Sequence, residues 1–301
     1  MLLKIKKDFA RNKYRYLMFI PVLIYLILFS YRPMWGLVVA FKQYRPTITI
    51  QEAEWVGFHY FRQFVSDPFF ARVVSNTLVL NIFLVIFGFP VPIIFALLLN
   101  EIGGLKFKKF AQTASYLPHF ISIVVVASMI KLFSLQNGLF NEIINFFTGR
   151  RIPILQRADL FRSVYVVSDI WQSFGWSSII YIAAIASIDQ ELYESAKIDG
   201  AGYFRQAINI TLPGILPTII MLLILRLGSM LSLGYEKVLL LYNPTTYRTA
   251  DIISTFIYRK GILETNYSYA TAVGLFNSLI NVAFLLIFNR LARKITEISL
   301  F

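Results

Sequence analysis

Few side chains in this sequence could do chemistry, and they fall into two sets. The first is a scatter of polar groups inside apolar runs: Arg226 with Ser229 one turn on, Trp171 with Gln172 and Ser173, and Asn277 and Ser278 with Asn281. Neutral hydrogen-bonding groups beside an aromatic ring suit a sugar, and they equally suit hydrogen bonds between helices in a membrane interior. An arginine near the middle of a span costs about 2.5–3.5 kcal/mol on insertion scales, so Arg226 is expected to face protein or a wet cavity. Two roles fit it: lining a path or pairing across a subunit interface, or an ion pair within the chain, with Asp169 as candidate partner. The second set is one polar stretch, ELYESAKIDGAGYFRQAINITLPGILP, from Glu191 to Pro217, with apolar sequence on both sides.

Several chemistries have no motif to carry them. The sequence has no cysteine, so thiolate ligands, disulfides and a Cys nucleophile are excluded. Its two histidines, His59 and His119, lie on different segments and outside any H-E-x-x-H pattern, and read as packed or interfacial side chains. The dipeptide Gly-Lys does not occur, so there is no Walker A loop, and there is no G-x-S-x-G elbow. A membrane enzyme that transfers glycosyl groups would need a carboxylate set or a metal motif, and neither is found. If the chain moves a solute, the energy must come from another subunit or from an ion gradient. An ion-gradient-driven secondary transporter is the alternative reading, although the spans lack the central carboxylates that proton coupling would use.

These groups must be positioned by membrane helices. Of 301 residues, 57% are hydrophobic and 15% charged, against about 25% charged in soluble proteins. Six apolar runs approach the roughly 20 residues a spanning helix needs, at about 16–40, 75–99, 111–134, 164–187, 214–234 and 271–290. The expected fold is therefore an all-α membrane protein of six transmembrane helices. The basic start, with Lys4, Lys6, Lys7, Arg11, Lys13 and Arg15, is read as a topological anchor before a retained first span, because no small-residue cleavage site follows. With both termini cytoplasmic, the inner segments hold 14 basic residues in about 65 positions, against 12 in about 98 for the three long outer loops. The net charge of +13 then reflects topology and anionic lipid rather than nucleic acid. The expected organisation is a basic segment 1–15, a first helix and outer loop 16–74, a core 75–292 and a tail 293–301. In the outer loop 41–74, WVGFHYFRQF reads as a short interfacial helix. In the loop 235–270, Pro244 makes a break and ADIISTFIYRKG reads as a helix closed by Gly261. Tyr242, Tyr247, Arg248, Tyr258 and Arg259 in that loop are the residue types favoured as interface anchors.

The polar stretch itself reads as a helix from Asp189 to Asp199, capped by Ser187 or Asp189. Ile188, Leu192 and Ala196 share one face, and Glu194 and Lys197 are spaced to pair. Gly200-Ala201-Gly202 stops it, Tyr203 to Asn209 form a second short helix, and Pro213 enters the fifth span. An amphipathic helix lying on lipid would want a broader apolar face and a basic polar face, so a compact knob that docks into a protein groove is the preferred reading.

The stretch resembles the EAA loop of permeases of ATP-binding-cassette importers, whose pattern is E-A-A, three residues, G, nine residues, I-x-L-P. Here it is Glu194-Ser195-Ala196, three residues including Asp199, Gly200, nine residues, then Ile210-Thr211-Leu212-Pro213. The one departure is Ser195 for alanine, which exchanges one small residue for another. SNTLVLNIFLVIFGFPVPIIFALLLNEI and LPHFISIVVVASMIKLFS resemble carbohydrate-type permeases. MWGLVVAFKQY, LGSMLSLGYEKVLLLYNPTTYRTADIISTFIYRKGI and YSYATAVGLFNSLINV resemble the branch serving oligosaccharides and polysaccharides. The resemblance covers nearly the whole chain. It implies a type I importer: a second permease, expected to be a different chain, two cytoplasmic ATPases that bind ATP and Mg, and an extracytoplasmic solute-binding protein. It implies no cofactor on this chain. It further implies that the loop 189–213 is the coupling helix seated in an ATPase groove, and that the loop 235–270 lies near the docked binding protein or guards the cavity mouth.

Overall fold

The computed structural model describes residues 11–296, 299 and 300; Lys4, Lys6 and Lys7 of the basic anchor lie outside them. Besides a single 3-10 turn at Ile154–Gln156, thirteen helical elements follow one another along the described residues: α1 Lys13–Phe41, α2 His59–Val65, α3 Phe70–Glu101, α4 Leu105–Phe120, α5 Ile123–Phe133, α6 Leu139–Thr148, α7 Ala158–Ala186, α8 Gln190–Ile198, α9 Tyr203–Gly228, α10 Tyr235–Leu241, α11 Tyr247–Ala250, α12 Ile253–Tyr258 and α13 Tyr267–Thr296. The one departure from an all-helical chain is a two-residue pair, β1 Lys42–Gln43 antiparallel to β2 Glu54–Trp55, with Lys42 opposite Trp55.

Four helices, α1, α3, α9 and α13, are long and apolar enough to cross a bilayer. The expected third span is broken: α4 and α5 pass the same test only together, and they meet at 95°. Pro118 ends α4, and Ser122 starts α5 by accepting a hydrogen bond from the Val125 amide, so two local signals turn the chain within a few residues. The expected fourth span is the 29-residue α7, long enough but interrupted by Asp169, Gln172 and Ser173, which keep it out of the apolar set. The expected fifth span ends early, at Gly228, and Ser229–Gly234 is irregular. Arg226 therefore stands in the last turn of its helix rather than near the middle of a span.

Three prolines sit beside wide turns. π-helical turns at Leu26–Tyr31, Leu84–Gly88 and Ala207–Thr211 each end two residues before a proline: Pro33, Pro90 and Pro213. Proline lacks an amide proton and its ring clashes with the carbonyl four residues back. Here those carbonyls belong to Phe29, Ile86 and Asn209, all inside the wide turns, where the ladder has already shifted to a five-residue spacing. The Phe89 amide, for example, donates to the Leu84 carbonyl at 2.9 Å. The second short helix expected at Tyr203–Asn209 is thereby continuous with the next span, because the wide turn replaces the anticipated break.

The residues fall into two compact units. One holds the described residues up to Val65 together with Lys260–Leu275. In it Phe41 stacks on Trp55 and meets Phe58 edge-on, and Ser268 Oγ donates to the Lys42 carbonyl while accepting from the Tyr44 amide. The expected interfacial helix of WVGFHYFRQF is α2, with Tyr60 and Phe64 buried. The other unit holds Ser66–Arg259 and the described residues from Phe276 on. Its core gathers Leu80, Leu84, Val126, Ile130, Phe161, Tyr165, Val238 and Ile252 from α3, α5, α7 and the 235–259 loop. Gly175 of α7 packs so closely on α4 that a Cβ there would overlap the Ser115 carbonyl. Small residues at such crossings let backbones approach, which is how helices associate without a hydrophobic driving force.

Candidate functional site

The polar stretch folds as a knob between α7 and α9. Asp189 caps α8 by accepting a hydrogen bond from the Glu191 amide at 3.0 Å, while Ser187 donates back into α7. The end of α8 is a Schellman motif: the Gly200 amide donates to the Lys197 carbonyl and the Ala201 amide to the Ala196 carbonyl, at 3.1 and 2.8 Å. Gly200 has φ +75°, the left-handed conformation that glycine adopts without steric cost, and a Cβ there would meet nothing within 4 Å. The turn thus needs glycine for its backbone, and its outer side is free.

The buried face of α8 differs from the expected stripe. Tyr193 is the buried residue, and its hydroxyl shares a 2.9 Å hydrogen bond with Thr211 in the wide turn of α9. Gln206 adds a second tie, donating to the Ala201 carbonyl at 2.6 Å. Leu192 is exposed; so are Ile198 at 86% and Phe204 at 81%, along with Tyr203. Leu192 shares a face with Ile188 and Ala196 as the spacing predicts, but that face is not the one buried on this chain. Glu194 and Lys197 form no ion pair among the described residues; both are exposed, as are Ser195, Asp199, Leu212 and Pro213, while Ala196 and Ile210 are half-buried.

Beyond the knob, α3, α7 and α9 enclose a cavity of about 580 Å³, lined by Asp169, Ser173, Trp176, Ser177 and Arg226 among apolar side chains. A smaller space of about 240 Å³ shares Leu84, Asp169 and Arg226 with it and adds Tyr165, Ser232, Glu236 and Lys237. The expected intrachain partner of Arg226 is taken: Asp169 accepts from Lys237 Nζ at 3.4 Å, and Lys237 also lies 5.2 Å from the Tyr165 ring centre. Arg226 itself makes no ion pair among the described residues.

Of the other polar residues singled out in the spans, Ser173 lines this cavity, while Trp171, Gln172, Asn277 and Asn281 do not. Trp171 lines a separate apolar cavity with Phe133 and Phe140. The tryptophan beside Arg226 is Trp176, stacked on His119 at 4.7 Å; five residues on in a helix, it faces away from Trp171. Gln172 donates to the Ile121 carbonyl and so pins the α4–α5 bend. Asn281 accepts from the Leu231 amide and donates to Ser232 Oγ, while Asn81, which the sequence reading passed over, donates to the Met230 carbonyl. Between them the two asparagines bond one amide and one carbonyl of the irregular Ser229–Gly234 segment. Asn277 keeps a buried Oδ1 with no partner.

The loop 235–270 packs largely on its own chain. Tyr242 lies against Tyr247 at 4.9 Å and Tyr258 stacks on Tyr235 at 5.5 Å. Arg259 bonds Asp251 at 2.8 Å, and Arg72 reaches the same carboxylate at 3.2 Å. Asp251 is fully buried; no motif marked it, because its partners come from α3 and from the end of its own loop. Arg248 is the exposed member of the anchor set. The expected closing glycine, Gly261, lies instead inside a π-helical turn, Arg259–Leu263, that extends α12.

A membrane chain with a capped, outward-facing knob rigidly continuous with cavity-lining helices has the architecture of a transport permease. Residues 69–297 match the family described as the binding-protein-dependent transport system inner membrane component, and the chain belongs to that family. It is 45% identical over 292 residues to protein LplB of Bacillus subtilis, spanning 97% of this chain and 92% of that one. It is 46% identical over 288 residues to the polygalacturonan/rhamnogalacturonan transport system permease protein YteP of the same organism, spanning 95% and 90%. Among solved structures it resembles a chain of a bacterial alginate ABC transporter in complex with an alginate pentasaccharide-bound periplasmic protein, with TM-score 0.89, 42% identity and coverage of 98% and 99%.

Proposed function

We propose that this chain is the membrane-spanning permease subunit of an ATP-driven, binding-protein-dependent importer of oligo- or polysaccharide. The observation that carries the reading is the knob: Gly200 turns it, Tyr193 and Gln206 tie it to α9, and Leu192, Ile198, Tyr203 and Phe204 on it are exposed. Residues 75–292 form the permease core, crossing the membrane with α1 in six spans, the α4–α5 pair and α7 included, with both termini cytoplasmic. Glu194, Ser195, Ala196, Asp199, Gly200, Ile210, Leu212 and Pro213 form the surface seated in a partner ATPase. ATP and Mg are bound and turned over by two such subunits, not here. A second, different permease chain completes the path, and Arg248 with the neighbouring aromatic side chains faces the docked solute-binding protein.

In this arrangement closure of the ATPases on ATP displaces α8. Because α8 joins α7 through Ser187–Asp189 and α9 through Asp199–Gly202, both walls of the Arg226 cavity move with it. Affinity purification of the permease is expected to retain an ATPase whose hydrolysis is stimulated by a saccharide-loaded binding protein; a permease that transports saccharide with no ATPase attached overturns the reading in favour of an ion-gradient carrier.

Topology has its own check. Single cysteines at positions 106, 108, 150 and 157 of this cysteine-free chain are expected to react with a membrane-impermeant thiol reagent from outside only at 150 and 157. Labelling of 106 in intact cells, without labelling of 150, inverts the six-span assignment.

A further inference from the structure

Two features of the molecule concern charge. At one end of α3 and α7, two arginines bond a single buried carboxylate, and a third is tied to it through Asn76. Arg72 and Arg259 both bond Asp251; Arg162 donates to Asn76 Oδ1 at 2.9 Å; and Asn76 in turn holds the Arg248 and Asp251 carbonyls. The nearby carboxylate of Asp159 is bridged by Arg157. Arg248 also acts on the Asp159 carboxylate, so Arg162 is the cation of this group with no carboxylate partner among the described residues. A cleft edge carrying one sign of charge concentrates ligands of the other.

The second feature is Arg226. The larger cavity holds two charged side chains, Asp169 and Arg226, and Asp169 is committed to Lys237; Glu236 borders only the smaller space. Arg226 is half-buried at the side of a cavity open to solvent, and with no carboxylate of its own among the described residues it is placed to take an anion that enters there. Arg162 and Asp169 lie seven residues apart on α7, which places them on the same face and about 10 Å apart along the axis. The outer cluster and the Arg226 cavity thus lie along one helix face.

We infer that the carried sugar is acidic, a uronate-bearing oligosaccharide whose carboxylates meet Arg162 first and Arg226 second. This rests on the importer reading above and names the substrate class of the same cavity. Guanidinium is suited to it because its planar fork matches a carboxylate with two parallel hydrogen bonds. Lysine can supply the charge but not the fork.

The test uses the intact complex with its ATPases and binding protein in proteoliposomes. The probes are short oligosaccharides prepared from polygalacturonan, alginate and glucuronoxylan, each also with its carboxyls reduced to alcohols, and maltooligosaccharides as neutral sugars. Wild type is expected to import at least one carboxylate form in preference to its reduced counterpart. Arg226→Gln is expected to lower that import roughly 10- to 100-fold, the worth of a hydrogen bond to a charged group, and to lower import of the reduced form far less. Arg226→Lys keeps the charge, and is expected to fall between Arg226→Gln and wild type. Arg162→Gln is expected to act in the same direction and to weaken the salt dependence of uptake. Using one binding protein throughout cancels its own selectivity from each comparison of a variant with wild type on the same sugar. Equal loss on carboxylate and reduced forms makes Arg226 a packing residue and overturns the inference, as does a wild type that imports only neutral sugars; in both cases the importer reading stands. Absence of uptake of any saccharide together with absence of a bound ATPase removes the importer reading itself, and the inference with it.

Discussion

Gly200→Val is expected to leave the permease in the membrane at close to wild-type amounts while most of its ATPase is lost on purification and uptake falls about tenfold or more. The fold-level cost is local. A Cβ at this position meets nothing of the chain within 4 Å, so the core is untouched. What changes is the backbone: at φ +75° an L-residue costs about 1–2 kcal/mol, and a β-branched one is worse placed still. That is too little to unfold a helical membrane domain, but enough to open the two hydrogen bonds that close α8 onto Gly200 and Ala201. The new side chain also projects from the free side of the turn, where a docking partner would lie. Glu194→Ala removes one exposed charge without disturbing the turn and is expected to act in the same direction, more weakly. ATPase retention and uptake measured on the same cells decide the matter. If Gly200→Val keeps both at normal levels, the knob is not where the ATPase seats.

Asp251→Ala should be strongly destabilising. The carboxylate is fully buried, pairs with Arg72 and Arg259, and accepts a further hydrogen bond from Thr255 Oγ1 at 3.0 Å. Removing one member of a buried ion cluster costs about 3–5 kcal/mol, because the charges left behind have lost their counterion. The two arginine side chains keep 30% and 22% exposure, so water can recover part of that, and the lower end, about 3 kcal/mol, is the expected loss. Asp251→Asn keeps the shape and the Thr255 contact, and is expected to fall between alanine and wild type. The thermal midpoint of the detergent-solubilised complex reads this directly. An unchanged midpoint in Asp251→Ala would mean that the two guanidiniums are adequately solvated and that the cluster contributes nothing to stability.

How much of this was legible beforehand depended on the range of the interaction. The turn at Gly200, the cap at Asp189 and the helix between them follow from residues within a few positions of one another, and spacing alone brings them out. Apolar run length located α1, α3, α9 and α13 for the same reason. Interactions across the sequence were not legible. Tyr193 is anchored by Thr211, Asn81 and Asn281 hold the same irregular segment from opposite ends of the chain, and Asp251 is neutralised by Arg72, which is 179 positions away. Arg226 was noticed because arginine is rare in such a run, but its depth was misjudged. The apolar run continues past Gly228, where Ser229 to Gly234 leave the helix. Trp171 stands out in the sequence beside Gln172 and Ser173, yet a neighbour one position along a helix points about 100° away and marks a different face.

The hydrogen bond between Tyr193 and Thr211 gives the chain a fulcrum. Thr211 closes the wide turn Ala207–Thr211, the stretch of α9 whose backbone ladder is least regular, and from there α9 runs without a break to Arg226. Those 15 residues, Pro217 among them, make a helical arm of about 22 Å. A tilt of about 10° at the turn sweeps the far end through roughly 4 Å, more than a hydrogen-bond length. A small rotation pressed on α8 would thus be amplified into the making or breaking of a contact at Arg226, with Pro217 the point along the arm where a missing amide lets it flex.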